Sequence, residues 1–176
     1  IDPENAEALG IYAHICSFIN KDTDSALYFF DKALKLNPNI AFLWAMSAPT
    51  YCYIGEPDIA LQRMARYADL APFDPHARFW DTVYAIPYLL KADYEQAVRF
   101  GRRAVALNPE FTNGYKPLIA ALGHLGRRAD AAPYIERLLA LEPNFTVERF
   151  GQTYPLQRAE DRDRYMLGLE LAGVPT

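Results

Sequence analysis

The sequence predicts an all-α protein built from repeated pairs of antiparallel helices. Prolines that follow an apolar helical run recur at Pro38, Pro72, Pro109 and Pro143, at spacings of 34, 37 and 34 residues. A further proline, Pro3, lies 35 residues before Pro38. A fixed period of this size is typical of a repeat array, in which each unit buries its apolar face against its neighbours.

Each period has room for two helices joined by a tight turn. Ala26, Phe30 and Ala33 fall at i, i+4 and i+7, on one face of a helix. The later periods repeat this spacing at Ala60, Met64, Tyr67; at Ala97, Gly101, Ala104; and at Ala131, Ile135, Leu138. Turn-forming residues stand midway at Asn20, Gly55, Ala92-Asp93 and Gly126. The proline then ends each second helix, because it lacks an N–H group and clashes with the preceding turn.

These patterns divide the chain into an array and a tail. The array covers residues 1–143, with repeats predicted at 5–38, 41–72, 77–109 and 112–143. Ile1-Asp2-Pro3 reads like the last turn of another repeat, so we expect the chain to be a fragment of a longer protein. Residues 144–176 are predicted to form capping helices. The polar outer face of the cap would consist of Glu160, Asp161, Arg162, Asp163 and Arg164.

The pattern resembles the tetratricopeptide repeat (TPR), in which large, small and proline positions recur at fixed offsets. The second repeat matches at Trp44, Ala48, Tyr51, Gly55, Ala60 and Pro72; the third at Tyr84, Ala85, Tyr88, Ala97, Ala104 and Pro109; the fourth at Tyr115, Leu118, Leu122, Gly126, Ala131 and Pro143. The resemblance covers about residues 4–143 and implies a right-handed superhelix of antiparallel helix pairs.

The first repeat departs from the strict period. An offset of 34 residues would place His14 at the small, tightly packed position. If the turn contains one extra residue, Ala13 takes that position, and Asn20 takes the left-handed place of the turn glycine. We prefer this register, because alanine fits between packed helices and histidine does not. In the fourth repeat Ile119 replaces the small residue, which predicts a more splayed pair.

The resemblance also implies a concave groove lined by the first helix of each pair. The groove positions carried onto this chain are His14, Ser17, Phe42, Ala45, Pro49, Tyr53, Phe79, Thr82, Ile86, Leu89, Asn113, Lys116, Ala120 and His124. Members of the family that bind chaperones clamp a C-terminal carboxylate with Lys, Arg and Asn, but only Asn113 and Lys116 have that character here. We therefore expect the groove to bind an apolar peptide, helix or segment of a protein, from the parent chain, a second copy or another partner. The alternative is that Phe42, Phe79 and Ile86 are simply core.

Signals of other chemistry are missing from the sequence. No catalytic, cofactor or metal motif occurs, and His14, His76 and His124 do not have metal-ligand spacing. We therefore predict that the segment is not an enzyme and needs no cofactor. No apolar run approaches the ~20 residues that span a bilayer, so no membrane partner is expected. Cys16 and Cys52 are predicted to be buried thiols in a reducing, cytoplasmic setting.

The charge is distributed unevenly along the chain. The formal net charge is −4, which disfavours bulk binding to nucleic acid, although residues 99–176 alone carry +2. Most of this basic excess comes from Arg99, Arg102, Arg103, Arg127 and Arg128. The cluster is either a solvated helix face or, as an alternative function, a site for nucleic acid or an acidic partner.

The tail carries a second resemblance. The stretch ERFGQTYPLQRAEDRDRYMLGLELAGVP is similar to the C-terminal end of certain bacterial signalling proteins. Those proteins carry a class III adenylate/guanylate cyclase domain, or a winged-helix DNA-binding domain, ahead of a repeat array. The resemblance implies a parent protein of that kind, in which this segment would be the protein-interaction module.

Overall fold

The computed structural model describes residues 4–75 and 77–176. In these residues the chain forms α-helices and two short 3₁₀ segments and no strand, so the all-α prediction is confirmed. The helices are α1 (Ala6–Phe18), α2 (Thr23–Leu36), α3 (Ala41–Tyr53), α4 (Pro57–Leu70), α5 (Asp81–Leu90), α6 (Tyr94–Leu107), α7 (Tyr115–His124), α8 (Arg128–Leu141), α9 (Val147–Thr153) and α10 (Ala159–Ala172). The chain divides between residues 75 and 76 into two compact units, the first with α1–α4 and the second with α5–α10.

One turn type joins the two helices in three of the pairs. Gly55, Ala92 and Gly126 adopt left-handed φ angles of 82°, 60° and 69°. In the second pair the Glu56 N–H donates to the Tyr51 carbonyl, five residues back, at 2.7 Å, and the equivalent bonds of the other two turns measure 2.9 Å. This is the Schellman ending, which satisfies the last carbonyl groups of the first helix.

The turn of the first pair is one residue longer. The Asp22 N–H donates to the Cys16 carbonyl, six residues back, at 2.9 Å, as expected from the extra residue. The prediction that Asn20 would be left-handed is wrong: Lys21 has that conformation, with φ 56°. Asp22 follows it as the N-cap of α2, and its carboxylate accepts the Ser25 N–H at 3.0 Å. Hydrogen bonds from Ser25 hold the pKa of the Asp22 carboxyl below its usual range.

The first unit is built by close packing of α3 onto the pair α1–α2. Ala13 is fully buried, which agrees with the predicted register of the first repeat. The Leu43 side chain occupies the space where a side chain at Gly10 would lie. Further along α3, the Thr50 hydroxyl donates to the buried Ser17 hydroxyl at 2.8 Å. The second pair therefore stacks on the first through both apolar and polar contacts.

Arg63 links α4 to α3 in a way that the repeat pattern did not predict. Its guanidinium carbon lies 5.1 Å from the Trp44 ring centroid and 4.6 Å from that of Tyr51. It also donates hydrogen bonds to the Tyr51 hydroxyl at 2.6 Å and the Ser47 hydroxyl at 3.3 Å. Stacking and hydrogen bonding together hold the charge at the helix–helix interface.

In the second unit, α5 and α6 pack through a stack of aromatic rings. The Tyr84 and Tyr88 centroids lie 4.7 and 5.5 Å from that of Phe100. Ala85 is fully buried beside them. A side chain at Gly101 would come within 2.8 Å of the Leu118 Cβ. The other repeats have a large residue at this position, and the glycine here leaves room for α7 to pack closely.

The fourth pair packs differently from the others. Helices α7 and α8 contact each other less extensively than the helices of the other pairs, as the large Ile119 side chain predicts. Instead α10 packs along α7 more extensively than α8 does. The face that α10 buries consists of Asp161, Tyr165, Gly168, Leu169 and Ala172. Helix α9 packs beside α10, with the Phe150 centroid 4.6 Å from that of Tyr165.

We expect Ala92→Gly to stabilise the protein by about 0.5–1 kcal/mol. A left-handed alanine costs about 1–2 kcal/mol, and the greater freedom of glycine in the unfolded chain cancels part of the gain. Urea unfolding would measure the change, with Ala92→Val as the opposite control, because a β-branched side chain worsens the strain. Destabilisation by Ala92→Gly would contradict the left-handed assignment.

Candidate interaction groove

Two of the predicted groove residues in the first unit, His14 and Tyr53, lie near the same aromatic side chain, Phe18. The Phe18 ring is parallel to the His14 ring at a centroid distance of 6.1 Å and lies 6.4 Å from the buried Tyr53 ring. Burial lowers the pKa of His14, and its Nδ1 has no hydrogen-bond partner in the described part of the chain. Phe42 is half-buried and packs against the cluster around Leu43. The structure therefore brings His14 and Tyr53 together and places Phe42 apart from them.

The predicted residues of the third pair differ in exposure. Thr82, Ile86 and Leu89 are buried, so the core interpretation fits Ile86. Phe79 is 53% exposed and stacks on the exposed ring of Phe111, with 6.2 Å between centroids. The core interpretation does not fit Phe79, which leaves an accessible aromatic surface in the second unit.

The two residues with the character of a carboxylate clamp bind each other. Lys116 is only 8% exposed, and its Nζ donates to the Asn113 side-chain oxygen at 3.0 Å and to Glu142 at 3.1 Å. The same Nζ lies 5.2 Å from the Phe145 ring centroid. The ammonium group is thus neutralised and mostly withdrawn from solvent, which leaves little capacity for a partner's carboxylate.

Helix α10 covers two other groove positions of the fourth pair. A side chain at Gly168 would come within 2.5 Å of the Ala120 carbonyl oxygen and within 2.9 Å of His124 Nε2. Conversely, a side chain at Gly123 would overlap the Gly168 carbonyl group. The backbones of α7 and α10 therefore approach so closely that only glycine fits at the crossing.

Polar contacts fix α10 at this crossing. His124 Nε2 donates to the Arg164 carbonyl oxygen at 2.7 Å, and the Tyr94 ring stacks on the imidazole at 4.4 Å. The Arg164 guanidinium donates to the Leu90 carbonyl, at the C-terminal end of α5. A cation at the C-terminus of a helix is favourable because the last carbonyl groups lack helical partners. Helix α10 is thus bonded to the ends of both α5 and α7.

This arrangement corrects the predicted polar outer face of α10. Asp161 is 5% exposed, and its carboxylate lies 3.7 Å from each of the Arg158 and Arg164 guanidinium groups. Asp161 and Arg164 therefore belong to the packed side of the helix. The apolar spacing of Tyr165, Leu169 and Ala172 gave the direction of that side, but no rule of apolar periodicity includes a buried aspartate.

The arginine cluster is largely paired with carboxylates. Arg102 lies 3.3 Å from Asp130, Arg103 lies 3.0 Å from Asp81, and Arg127 lies 2.8 Å from Glu95. The Asp81 side chain is buried, whereas the arginines are about half exposed. Arg99 lies over the Phe100 ring, 4.7 Å from its centroid. The cluster thus ties neighbouring helices together, and its positive charge is offset locally.

Residues 4–75 and 77–176 contain neither a metal-binding cluster nor a membrane-spanning helix. Within those ranges no three His, Cys, Asp or Glu side chains stand close enough together to hold a metal ion. No described helix is both long and apolar enough to cross a membrane. Cys16 and Cys52 are both buried, as predicted. His76, which has no metal-ligand spacing in the sequence, lies outside the described residues.

Solved structures resemble this chain over nearly its whole length. PilW, a widely conserved type IV pilus biogenesis factor, aligns with a TM-score of 0.70 and 19% identity, covering 93% of this chain and 76% of PilW. TTC0263, a thermophilic TPR protein of Thermus thermophilus, aligns at 0.65 with 23% identity, covering 96% and 90% of the two chains. The fold is that of TPR proteins. YrrB, a TPR protein with an unusual peptide-binding site, aligns at 0.59 with 20% identity, covering 97% and 86%.

These similarities establish the TPR-type fold alone, because all three identities are low. No protein-family model matches the sequence. A comparison with curated protein sequences also finds no match.

We expect Gly123→Ala to destabilise the protein by about 1–3 kcal/mol, because the new methyl group would strike the backbone of α10. Gly151→Ala is the matched control. Its methyl group would meet first the flexible thioether of Met166, so we expect a neutral effect or a gain of up to ~1 kcal/mol from helix propensity. Thermal unfolding of both variants would measure the difference, and equal stabilities would contradict the close crossing.

We expect His14 to make stability fall in mild acid. Its folded pKa lies below the ~6.5 of an unfolded histidine, so the unfolded chain takes up the proton first. The contribution of neutral His14 is therefore complete above about pH 6.5 and is lost as the pH falls towards the folded pKa. Between pH 7.5 and 5.5, the wild type should lose more free energy of unfolding than His14→Gln. Equal losses would show that His14 titrates as in the unfolded chain.

Proposed function

We propose that this segment is a protein-interaction scaffold whose first helices bind an apolar or amphipathic helix. The partner helix would come from the parent chain or from another protein. One observation carries the proposal: α10 itself lies against Ala120 and His124, two of the four predicted groove positions of the fourth pair. A surface that already accepts one helix has the shape and the polar groups to recognise a helix.

The character of the other groove residues favours an apolar partner over an acidic tail. Lys116 is bonded to Asn113 and Glu142, so a partner's carboxylate would have to displace two existing hydrogen bonds. Phe79 and Phe111 instead offer exposed aromatic surface. Aromatic side chains provide much of the binding energy at protein interfaces, which supports an apolar segment as the ligand.

The similar structures are compatible with a scaffold. YrrB is described by its peptide-binding site and PilW by its part in pilus biogenesis. Neither description transfers a partner to this chain. The nucleic-acid alternative gains no support, because Arg102, Arg103 and Arg127 are each paired with a carboxylate.

The setting of the scaffold remains a prediction from the sequence. That the parent is a bacterial signalling protein, either an adenylate cyclase or a transcriptional regulator, depends on the tail resemblance alone, and the solved structures give it no support. A cytoplasmic location likewise depends on the two buried cysteines.

The proposal can be tested by cutting the chain between α9 and α10. Gln157 and Arg158 are exposed and lie outside both helices, so a specific protease site can be inserted between them. We expect the 158–176 fragment to stay bound through gel filtration and to exchange with an excess of a fluorescent peptide of the same sequence. The same peptide with Gly168→Leu is the control and should not exchange, because its side chain strikes α7.

An acidic peptide of the chaperone-tail kind completes the test. We expect it neither to displace the 158–176 fragment nor to bind the intact chain at micromolar concentration. Binding by this peptide that is lost in Lys116→Ala would contradict the apolar interpretation. Release of the fragment after cleavage, with no uptake of the fluorescent peptide, would contradict recognition of a helix at this surface.

A further inference from the structure

Helix α1 carries an apolar stripe that nothing in the described chain covers. Ile11, Ile15 and Ile19 are 50%, 43% and 66% exposed, and the adjacent Tyr12 is 36% exposed. The isoleucines stand at i, i+4 and i+8, so they form one continuous face, called here the α1 stripe. Isolated exposed apolar residues are ordinary, but an uncharged row of them on one helix marks an interaction surface.

The equivalent face of α3 is covered at its centre and partly covered at its ends, where Met46 and Ile54 correspond to Ile11 and Ile19. Cys16 of α1 and Tyr51 of α3 have equivalent roles, because the carbonyl of each accepts the hydrogen bond that closes the turn after its helix. The two helices therefore align at an offset of 35 residues. In this register Ser47 corresponds to Tyr12, and Thr50 to Ile15. Both Ser47 and Thr50 are fully buried.

The preceding pair supplies this cover. Leu43 lies on the same side of α3 and fills the space above Gly10 of α1, while Thr50 bonds to Ser17 of the same helix. Leu43 also belongs to a cluster with Ala33 and Leu34 of α2. The face of α3 is therefore covered by both helices of the pair ahead of it.

Helix α7 repeats this arrangement independently in the second unit. Leu118 and Ala121, which correspond to Ser47 and Thr50, are fully buried. Leu118 packs over Gly101 of α6. Thus α3 and α7, the two first helices that follow a pair within their own unit, both pack the face equivalent to the α1 stripe against that pair.

We propose that the α1 stripe is the stacking surface for a further helix pair of the same repeat type, placed ahead of α1 in the same polypeptide. The cover that α3 and α7 receive is a helix pair, not a lone helix, since α1 and α2 both pack on α3, and α5 and α6 both pack on α7. The stripe contains no charged side chain, so covering it costs no ion desolvation. This surface is separate from the groove, and the proposal does not depend on the proposed function.

The two internal interfaces also indicate what the covering pair must present. In each, a glycine of the preceding pair receives a large side chain: Gly10 receives Leu43, and Gly101 receives Leu118. Tyr12 corresponds in position to Leu118. We therefore expect the covering pair to place glycine or alanine opposite Tyr12, since a larger residue would hold the helices apart.

The test extends the full chain by one pair. A second copy of residues 4–38 is joined ahead of Glu4, which preserves the period of 35 residues. The added copy carries Phe30→Ala at the position that corresponds to Gly101, so that a small residue faces Tyr12. It also carries Ile11→Gln, Ile15→Gln and Ile19→Gln, so that its own outer face is polar. We expect the extension to raise the melting temperature by about 5 °C or more, to slow amide exchange in the original α1 and to reduce binding of a hydrophobic dye.

The matched control carries the same three glutamine substitutions in the original stripe as well. Because the isoleucines are exposed, the unextended triple variant should fold and melt like the parent. Adding the pair to that variant should give no gain. Equal gains with and without the original isoleucines would overturn the proposal, as would no gain in either chain. Concentration-dependent dimerisation of the unextended parent, abolished by the triple substitution, would also overturn it by assigning the stripe to a second copy.

Discussion

The first helix of each pair must be covered on more than one side, and the rest of the fold follows from how that cover is supplied. Its own second helix covers one side, but a lone pair cannot bury the remaining apolar surface. The preceding pair covers another side of α3 and of α7, through Leu43 and Leu118 respectively. For α7 the far side is covered by α10, which packs along it more extensively than α8 does. The C-terminal helix is thus an integral part of the second unit.

Local and nearest-neighbour packing could be predicted from the sequence, because it repeats. The helices, the tight turns and the burial of Ala13 and Ala85 all follow from a sequence pattern that recurs several times along the chain. The left-handed residue of the first turn could not be predicted by preference alone. Asn20 suits that conformation better than Lys21, but the turn bond and the Asp22 cap place the sharp change of direction one residue later.

The position of α10 could not be predicted, because it depends on features that occur once. Gly123 and Gly168 are far apart in sequence, and neither carries a periodic signal that pairs it with the other. Asp161 looks like a surface residue until Arg158 and Arg164 are seen beside it. Long-range contacts of this kind contribute little to any local sequence pattern, so only the structure reveals them.

The candidate site illustrates a related limit of sequence reasoning. A sequence identifies which side chains could bind a partner, but it does not show which of them already have one. Lys116 has the right chemistry for a carboxylate, yet Asn113 and Glu142 already engage it. Arg103 and Arg127 likewise face carboxylates on neighbouring helices. Among the apolar positions, Ile86 and Leu89 are buried in the core, whereas Phe79 keeps its ring accessible.

The crossing of α7 and α10 restricts which substitutions this sequence can accept during evolution. Gly123 and Gly168 lie at the same helix crossing, so enlarging either residue would push the same two backbones apart. Once one glycine has been replaced and the helices have separated, replacing the other adds little further cost, because contacting residues are not energetically independent. Related sequences should therefore keep both glycines or lose both, and those that have lost both should hold their last helix by a different arrangement.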